Sequence, residues 1–196
     1  MKNNKQDIIL IGGGGHCSSV IDVIEQQGIY RIAGILDLKE KIGQKNLDYS
    51  VIGCDNDLPE LAREYKNFII TLGQLKTPQR RIEIFQLLQK LSVNLPMIVS
   101  PHAYVSKHAT IGKGTIIMHH TQVNANAVIG NNCIINSKAL IEHDAIVEDN
   151  CHIATGAIIN GGVIVGKNSF IGSGVITKQY VTIPEASFIK ANVLFK

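Results

Sequence analysis

Residues 129–159 read IGNNCI-INSKAL-IEHDAI-VEDNCH-IATGAI-I in groups of six, and every group begins with Ile or Val. Steps of six from Val99 to Phe195 give 17 positions, of which 15 are Ile or Val and only Thr177 is not apolar. An amphipathic helix repeats near 3.6 residues, so this period excludes a helix. The repeat therefore decides the fold of the second half of the chain.

The position two residues before each of these repeating residues is usually small. It is Ala103, Ala109, Thr115, Thr121, Ala127, Cys133, Ala139, Ala145, Cys151 and Ala157. Residues i and i−2 of a strand share a face, so the large and the small residue both point inward. Three short strands per 18-residue coil predict a parallel β-helix. Glycines at 112, 130, 166 and 172 follow inward residues, where turns are expected.

The first part of the chain lacks the six-residue period and alternates strands with helices. We predict strands at 7–11, 32–36 and 68–71, and helices at 18–27, 58–65 and from Pro78 onward with Thr77 as the cap. This order indicates a small Rossmann-like parallel sheet with helices on its faces. We therefore expect an α/β domain at 1–95 and a β-helix at 96–196.

A glycine-rich loop, Gly12 to His16, follows the first predicted strand and opens a helix. The dinucleotide pattern G-x-G-x-x-G is incomplete, because Cys17 stands where the third glycine belongs. Bare backbone N–H groups at a helix N-terminus nevertheless favour a phosphate. Asp37 and Gly73 follow the next two strands, at the edge where such sheets bind ligands.

Composition narrows the classes of function. The charge of +3 is mild and its basic residues are scattered, so nucleic-acid binding is not expected. No apolar run has the length of a membrane span, and the polar start is unlike a signal peptide. Cys133 and Cys151, one coil apart, are expected to be space-filling thiols. We expect a cytoplasmic protein without a metal or a permanently bound cofactor.

Six of the seven histidines lie in the repeat half, most of them expected on the surface. His143 differs because Asp144 beside it can orient the imidazole, as a general base requires. Gly161 lies one coil above and is expected to leave room for a ligand. His152 is predicted to point outward on another face, so we hypothesise a site at a subunit interface.

Several motifs resemble the sugar acetyltransferases of the sialic-acid O-acetyltransferase and bacillosamine or perosamine N-acetyltransferase family. They are Ile11-Gly12-Gly13-Gly14-Gly15-His16, Asp37, Gly73-Gln74, Ile135-Asn136, Glu142-His143-Asp144, His152-Ile153-Ala154 and the hexapeptides. The resemblance covers nearly the whole chain. It implies a left-handed β-helix, a homotrimer, acetyl-CoA as cosubstrate and a role in glycan or polysaccharide biosynthesis.

The resemblance also implies roles for particular residues. The catalytic set would be His143 as general base, Asp144 raising its basicity and Asn136 placing the acceptor. The acceptor nucleotide would be held by Gly14, Gly15, His16, Asp37, Leu38 and Gly73. The acetyl-CoA groove would be lined by His152, Gly161, Ser173 and Ala191. Leu38 departs from the family, because an acidic residue often stands there, and the chain ends without the usual closing Gly-x-Pro-Ala turn.

Two kinds of acetyl acceptor remain open. A nucleotide-linked 4-amino-4,6-dideoxy-type sugar would be N-acetylated, and a sialic acid or related nonulosonate would be O-acetylated by the same machinery. The nucleotide-type first domain favours the former. A non-catalytic nucleotide-sugar sensor and a zinc hydratase are weaker alternatives, and the incomplete fingerprint disfavours a nicotinamide oxidoreductase.

Overall fold

The computed structural model describes residues 5–74 and 77–196, which form two compact units. One unit is built from Met1–Gly73 and Glu83–Pro96, and the other from Gln74–Ile82 and Met97–Lys196. The functions predicted for the two parts of the chain, nucleotide-sugar binding at 1–95 and acyl transfer at 96–196, remain predictions.

The α/β unit contains a five-stranded sheet of order β3-β4-β2-β1-β5. Its elements are β1 (Gln6–Ile11), α1 (Gly15–Gln27), β2 (Tyr30–Leu36), β3 (Lys45–Asn46), β4 (Tyr49–Gly53), α2 (Leu58–Glu64), β5 (Asn67–Ile70) and α3 (Gln79–Lys90). Strands β1, β2, β4 and β5 are parallel and β3 is antiparallel to β4. Buried Ile9, Leu36, Phe68 and Leu88 form its core.

The predicted elements of this unit are confirmed, with two differences. Helix α1 begins three residues earlier, at Gly15, because Gly14 takes the extended N-cap conformation. It ends at Gly28, which adopts the left-handed conformation with φ 69°, as a C-terminal glycine should. The β3–β4 hairpin was not predicted, and its turn contains Leu47 at a φ of 51°.

The second unit is a three-faced parallel β-helix. Face 1 contains β6 (Ile98–Val99), β9 (Ile116–Ile117), β12 (Ile134–Ile135), β15 (His152–Ile153), β18 (Phe170–Ile171) and β21 (Phe188–Ile189). Face 2 contains β7 (Tyr104–Val105), β10 (Gln122–Val123), β13 (Leu140–Ile141), β16 (Ile158–Ile159), β19 (Ile176–Thr177) and β22 (Leu194–Phe195). Face 3 contains β8 (Thr110–Ile111), β11 (Val128–Ile129), β14 (Ile146–Val147), β17 (Ile164–Val165) and β20 (Thr182–Ile183).

The register of the β-helix confirms the six-residue prediction. Each strand pairs in parallel with the strand 18 residues away, as Ile135 does with Ile117 and Ile153. The repeating large residues and the small residues pack into one apolar column, and Thr177 is buried among them. Stacking pairs the strand backbones between coils.

The turns of the β-helix follow their own six-residue rule. A residue in the left-handed conformation recurs in these turns. Examples are Asn132, Asp144, Gly156 and Asn168, whose φ angles are 54°, 61°, 66° and 64°. Asn, Asp and Gly tolerate this conformation best. The glycines predicted at turns serve a different need: a Cβ on Gly112 would lie 2.5 Å from the backbone of Gly130 in the next coil.

Candidate functional site

His143 lies in the turn between β13 and β14, at the corner where face 2 meets face 3. Its Nδ1 is 2.8 Å from Oδ2 of Asp144, and both side chains are about half exposed. Asp144 adopts a left-handed φ of 61°. The carboxylate can only accept, so Nδ1 carries the proton and Nε2 presents a lone pair. An imidazole in this state can act as a base.

A second layer of hydrogen bonds holds this pair in place. The Nδ2 group of Asn126 donates to the other oxygen of Asp144 at 3.1 Å. Oε2 of Glu142 accepts from the backbone N–H of His143 at 3.2 Å and from Nδ2 of Asn124 at 2.8 Å. The two asparagines stand one coil below their partners, so the stacking of coils itself orients the acidic side chains.

The electrostatics of the corner favour a basic imidazole. The hydrogen bond that Nδ1 of His143 donates to Asp144 raises the pKa of His143, and the negative charges of Asp144 and Glu142 act in the same direction. The pKa of Asp144 is lowered by its hydrogen bonds with His143 and Asn126. The acidic neighbours therefore raise the basicity of the imidazole, while the role of His143 as a general base stays a prediction.

Gly161 lies against the ring of His143. An ideal Cβ on Gly161 would lie 2.8 Å from both Cε1 and Nε2 of the imidazole. The ring of His143 therefore occupies the space directly over Gly161, and the predicted contact of Gly161 with acetyl-CoA stays a prediction. Glycine is needed here because any side chain would displace the imidazole.

The surroundings of His152 differ from those of His143. It points outward from face 1 as predicted, but the expectation of a surface position is wrong, because only 6% of the residue is exposed. Its Nδ1 lies 2.7 Å from the main-chain oxygen of Gln74, and the edge of Phe170 packs at 5.1 Å between ring centroids. Burial lowers the pKa of His152 to about 4, so the ring is neutral at pH 7.

Asn136 contacts His152 and not His143. It lies in the turn between β12 and β13, where face 1 meets face 2, one corner away from His143. Its Nδ2 is 3.4 Å from Nε2 of His152, and its Oδ1 accepts from the N–H of Ser137 at 2.8 Å. One chain therefore divides the predicted catalytic residues between two corners.

Ser173 and Ala191 lie at the same corner as Asn136, in the turns that follow β18 and β21. Both are exposed. Successive coils bring them together: the N–H of Asn192 donates to the oxygen of Ser173 at 2.9 Å. A Cβ on Gly172 would lie 2.5 Å from the nitrogen of Ala191, so this corner is closely stacked. The structure groups Asn136, Ser173 and Ala191 along one edge.

In the α/β unit the glycine loop closes on Asp37. Oδ2 of Asp37 accepts from the N–H of Gly13 at 3.0 Å and from Nζ of Lys41 at 3.0 Å, while Oδ1 accepts from the N–H of Leu38 at 2.8 Å. Burial acts against ionisation, but together these hydrogen bonds lower the pKa of Asp37. The carboxylate thus stabilises the loop.

The backbone at the start of α1 has free space beside it, at the place where a phosphate is predicted to bind. A Cβ added to Gly14 or Gly15 would meet no heavy atom of the described residues within 4 Å. Gly73 faces this loop, because a Cβ there would lie 3.8 Å from Cβ of His16. Asn46 makes a contact with this loop that was not predicted: its Nδ2 donates to the oxygen of Gly13 at 2.9 Å. Its place in the unpredicted hairpin hid this contact.

Residues 5–74 and 77–196 contain no group of three or more His, Cys, Asp or Glu residues arranged to hold a metal ion. None of their helices combines the length and the apolar character that a membrane crossing requires.

Two family models match the chain. Residues 7–87 match the PglD N-terminal domain, and residues 108–143 and 144–179 match the bacterial transferase hexapeptide of six repeats. The matches fall on the α/β unit and on the β-helix, so both halves of the fold have known counterparts.

Three relatives illustrate the likeness. UDP-N-acetylbacillosamine N-acetyltransferase of Bacillus subtilis is 30% identical over 115 residues, which cover 58% of this chain and 51% of the relative. Variant perosamine N-acetyltransferase from Caulobacter crescentus, in complex with CoA and GDP-perosamine, is 27% identical with a TM-score of 0.91, covering 97% of this chain and 88% of that one. The acetyltransferase domain of PglB from Neisseria gonorrhoeae, with acetyl coenzyme A, is 27% identical with a TM-score of 0.87 and covers 96% and 90%.

The fold and the corner built around His143 define a hexapeptide-repeat protein with a PglD-type first domain. The expected left-handed β-helix is confirmed by these likenesses. The chain belongs to the hexapeptide-repeat transferases that carry a PglD-type N-terminal domain. It is similar to the bacillosamine and perosamine N-acetyltransferases. The alignment with the curated relative spans about half of that relative's length.

Proposed function

We propose that this protein transfers an acetyl group from acetyl-CoA to the amino group of a nucleotide-linked 4-amino-4,6-dideoxy-type sugar. The observation that carries the proposal is the His143–Asp144 pair, with Nε2 of an exposed imidazole left as the acceptor of a proton. One relative of similar fold is a perosamine N-acetyltransferase solved with CoA and GDP-perosamine, and another is an acetyltransferase domain solved with acetyl coenzyme A.

The reaction needs one base and no metal. Nε2 of His143 takes a proton from the sugar amine as its nitrogen attacks the thioester carbonyl carbon. The new C–N bond forms, the carbonyl oxygen becomes an oxyanion, and backbone N–H groups can stabilise it. Collapse of the intermediate breaks the C–S bond, and the proton held by His143 passes to the departing thiolate. The products are the acetamido sugar and CoA.

The α/β unit is proposed to bind the nucleotide of the acceptor. The open backbone at Gly14 and Gly15 lies at the N-terminus of α1, whose first turn contains no acidic residue among those described. A helix N-terminus with bare N–H groups favours a phosphate. His16, Asp37, Leu38 and Gly73 remain proposed contacts of the same ligand.

We also propose that the active protein is a homotrimer whose sites lie between subunits. Exposed apolar side chains line face 2 and face 3 of the β-helix, among them Tyr104 at 60%, Val128 at 41% and Ile176 at 43%. Such surfaces mark interfaces. His143 stands where these faces meet, so a neighbouring subunit could supply Asn136 to place the acceptor and His152, Ser173 and Ala191 to bind acetyl-CoA.

The first experiment is a thiol-release assay with acetyl-CoA. The acceptors are UDP-, GDP- and dTDP-linked 4-amino sugars, with free sialic acid as the O-acetylation arm and the matching nucleotides without a sugar as controls. Turnover of one nucleotide-linked amine is expected. Turnover of free sialic acid alone would establish the alternative, and nucleotide-sugar binding without thiol release would support a sensor instead.

Sharing of the site is tested by mixing two inactive variants, His143→Ala and Asn136→Ala, through co-expression. In a random mixed trimer, roughly a quarter of the interfaces would join an intact His143 to an intact Asn136, so activity should return. No recovery in mixed trimers, or full activity of a monomer in solution, would contradict a shared site.

A further inference from the structure

The segment Gln74–Ile82 clusters with the β-helix and is anchored there by two buried polar side chains. Gln74 is 2% exposed and Arg81 is 1% exposed. Nε2 of Gln74 donates to the oxygen of Asn150 at 3.2 Å and to that of Ser169 at 3.4 Å. Because both partners are carbonyls, they fix which end of the Gln74 amide faces the β-helix.

Arg81 holds the other end of the segment on a column of asparagines. Its Nη2 donates to Oδ1 of Asn132 at 2.8 Å and to the main-chain oxygen of the same residue at 3.2 Å. Nδ2 of Asn132 donates to Asn150 at 2.9 Å, and Nδ2 of Asn150 donates to Asn168 at 3.1 Å. The segment is therefore tied to a rigid, repeated part of the fold.

This anchoring sets the position of one main-chain carbonyl. The oxygen of Gln74 lies 2.7 Å from Nδ1 of His152. A carbonyl only accepts, so the proton must be on Nδ1. The buried ring is neutral at pH 7, because burial lowers the pKa of His152 to about 4. A neutral imidazole carries one proton, and Nε2 is therefore left with a lone pair.

The other side of the ring agrees with this assignment. Nδ2 of Asn136 lies 3.4 Å from Nε2 of His152, a long contact in which the amide is the donor. The amide of Asn136 cannot easily turn, because its Oδ1 accepts from the N–H of Ser137. The opposite tautomer would place two N–H groups against each other.

We propose that Gln74 is a positioning residue: its anchored carbonyl fixes His152 as the Nδ1–H tautomer, so that Nε2 accepts an amide N–H of the pantetheine arm of acetyl-CoA. The inference rests on the proposed function, which places acetyl-CoA beside His152. Nε2 of His152 has a long contact with Nδ2 of Asn136. The incoming amide N–H either takes the place of this donor or shares Nε2 with it.

The tautomer is measured directly by ¹⁵N NMR of the full protein labelled at histidine, with His152→Asn used to assign its resonances. The expected spectrum has a protonated Nδ1 and an unprotonated Nε2 between pH 6 and pH 8. Addition of CoA should shift the Nε2 resonance and leave the proton on Nδ1. A proton on Nε2, or a charged ring at pH 7, would overturn the inference.

The role of Gln74 is tested by Gln74→Met, which keeps the size of the side chain and removes its two hydrogen bonds. We expect a mixture of His152 tautomers, and a dissociation constant for CoA and a KM for acetyl-CoA each raised about tenfold, the scale of a lost hydrogen bond, with kcat nearly unchanged. Gln74→Asn is not used, because its shorter side chain would also leave a cavity.

The matched control is Thr115→Val. Thr115 is fully buried, and its Oγ1 donates to the oxygen of Gly130 at 2.7 Å and accepts from the N–H of Cys133 at 3.0 Å. This variant loses buried hydrogen bonds away from His152, so CoA binding and the tautomer should not change. Equal weakening of CoA binding in both variants would contradict a positioning role for Gln74.

The two proposals fail in different ways. An absence of acetyl transfer with every acceptor would remove the proposed function, whereas CoA binding and the ring tautomer are measured without turnover. A Gln74→Met protein with wild-type CoA affinity and a single Nδ1–H tautomer would overturn the role of Gln74 and leave the proposed function intact.

Discussion

His143 and His152 stand nine residues apart in consecutive hexapeptides, yet their surroundings give them opposite properties. The side chain of His143 is half exposed and paired with a carboxylate that raises its pKa. His152 is covered, and burial lowers its pKa to about 4. The repeat places both side chains outward, so the difference comes from neighbours that the repeat does not specify: Asp144 for one and Gln74 for the other.

Removing the exposed histidine should have the largest effect. His143→Ala is expected to lower kcat by about two to four orders of magnitude, the contribution of a positioned general base. The KM for acetyl-CoA should change little, because the base is proposed to act on the amine. Thiol release under saturating acetyl-CoA measures this, and an unchanged kcat would remove His143 from its role.

Crowding the same ring should have the next largest effect. Gly161→Ala places a methyl group 2.8 Å from Cε1 and Nε2 of His143, and the exposed ring must move. A shift of about 1 Å in a catalytic group can cost roughly a hundredfold in rate. The free energy of unfolding should change little, because the exposed ring can move.

The control for this variant is Gly166→Ala. The Cβ of an alanine at this position would lie 2.6 Å from the backbone nitrogen of Glu185, so it would crowd the backbone of the next coil and not an imidazole. Backbone yields less readily than an exposed ring, so this variant should lose stability. If Gly161→Ala lost stability and kept its rate instead, the contact between Gly161 and His143 would have no catalytic meaning.

The buried histidine should make stability depend on pH. His152 has a lowered pKa in the folded chain, so the unfolded chain binds a proton first as the pH falls. Its contribution is complete above about pH 6.5 and is lost as the pH falls through about 4, a change of about 3 kcal/mol over that window.

This dependence is measured from urea unfolding of the β-helix between pH 7 and pH 4. His152→Asn keeps a donor for the Gln74 carbonyl and cannot titrate, so its stability should fall less steeply with acid. Equal slopes for the wild type and the variant would show that His152 does not stay neutral in the folded protein.

The smallest expected effect concerns the thiols inside the β-helix. Sγ of Cys151 donates to the oxygen of Gly166 at 3.2 Å, and burial raises the pKa of this thiol to about 12. Cys151→Ala should cost about 1 kcal/mol of stability and leave the rate of transfer unchanged. A large loss of activity would argue against a space-filling role.

The sequence predicted most of the fold because the fold is periodic. One inward Ile or Val every six residues fixed the strands, their register and the core without any knowledge of loops. The β3–β4 hairpin was missed because strands of two and five residues carry too few positions for a pattern. The contacts of Asn46 with the glycine loop were missed with it.

The candidate site was predictable only where its residues are neighbours in sequence. Asp144 follows His143, so their pairing could be inferred. His152 contacts Gln74, which is 78 residues away in the sequence. The residues around His152 therefore could not predict this contact. Asn136 was grouped with His143 by resemblance, whereas within one chain it contacts His152. Contacts between distant segments require the folded structure.

The most direct test is an NMR titration of both histidines in one sample of ¹⁵N-labelled protein, alongside Asp144→Asn. His143 should titrate at a pKa above the ordinary histidine value, and Asp144→Asn should lower it, while His152 should remain neutral from pH 8 down to pH 5 in both proteins. Titration of the two rings together near the ordinary value would contradict the account.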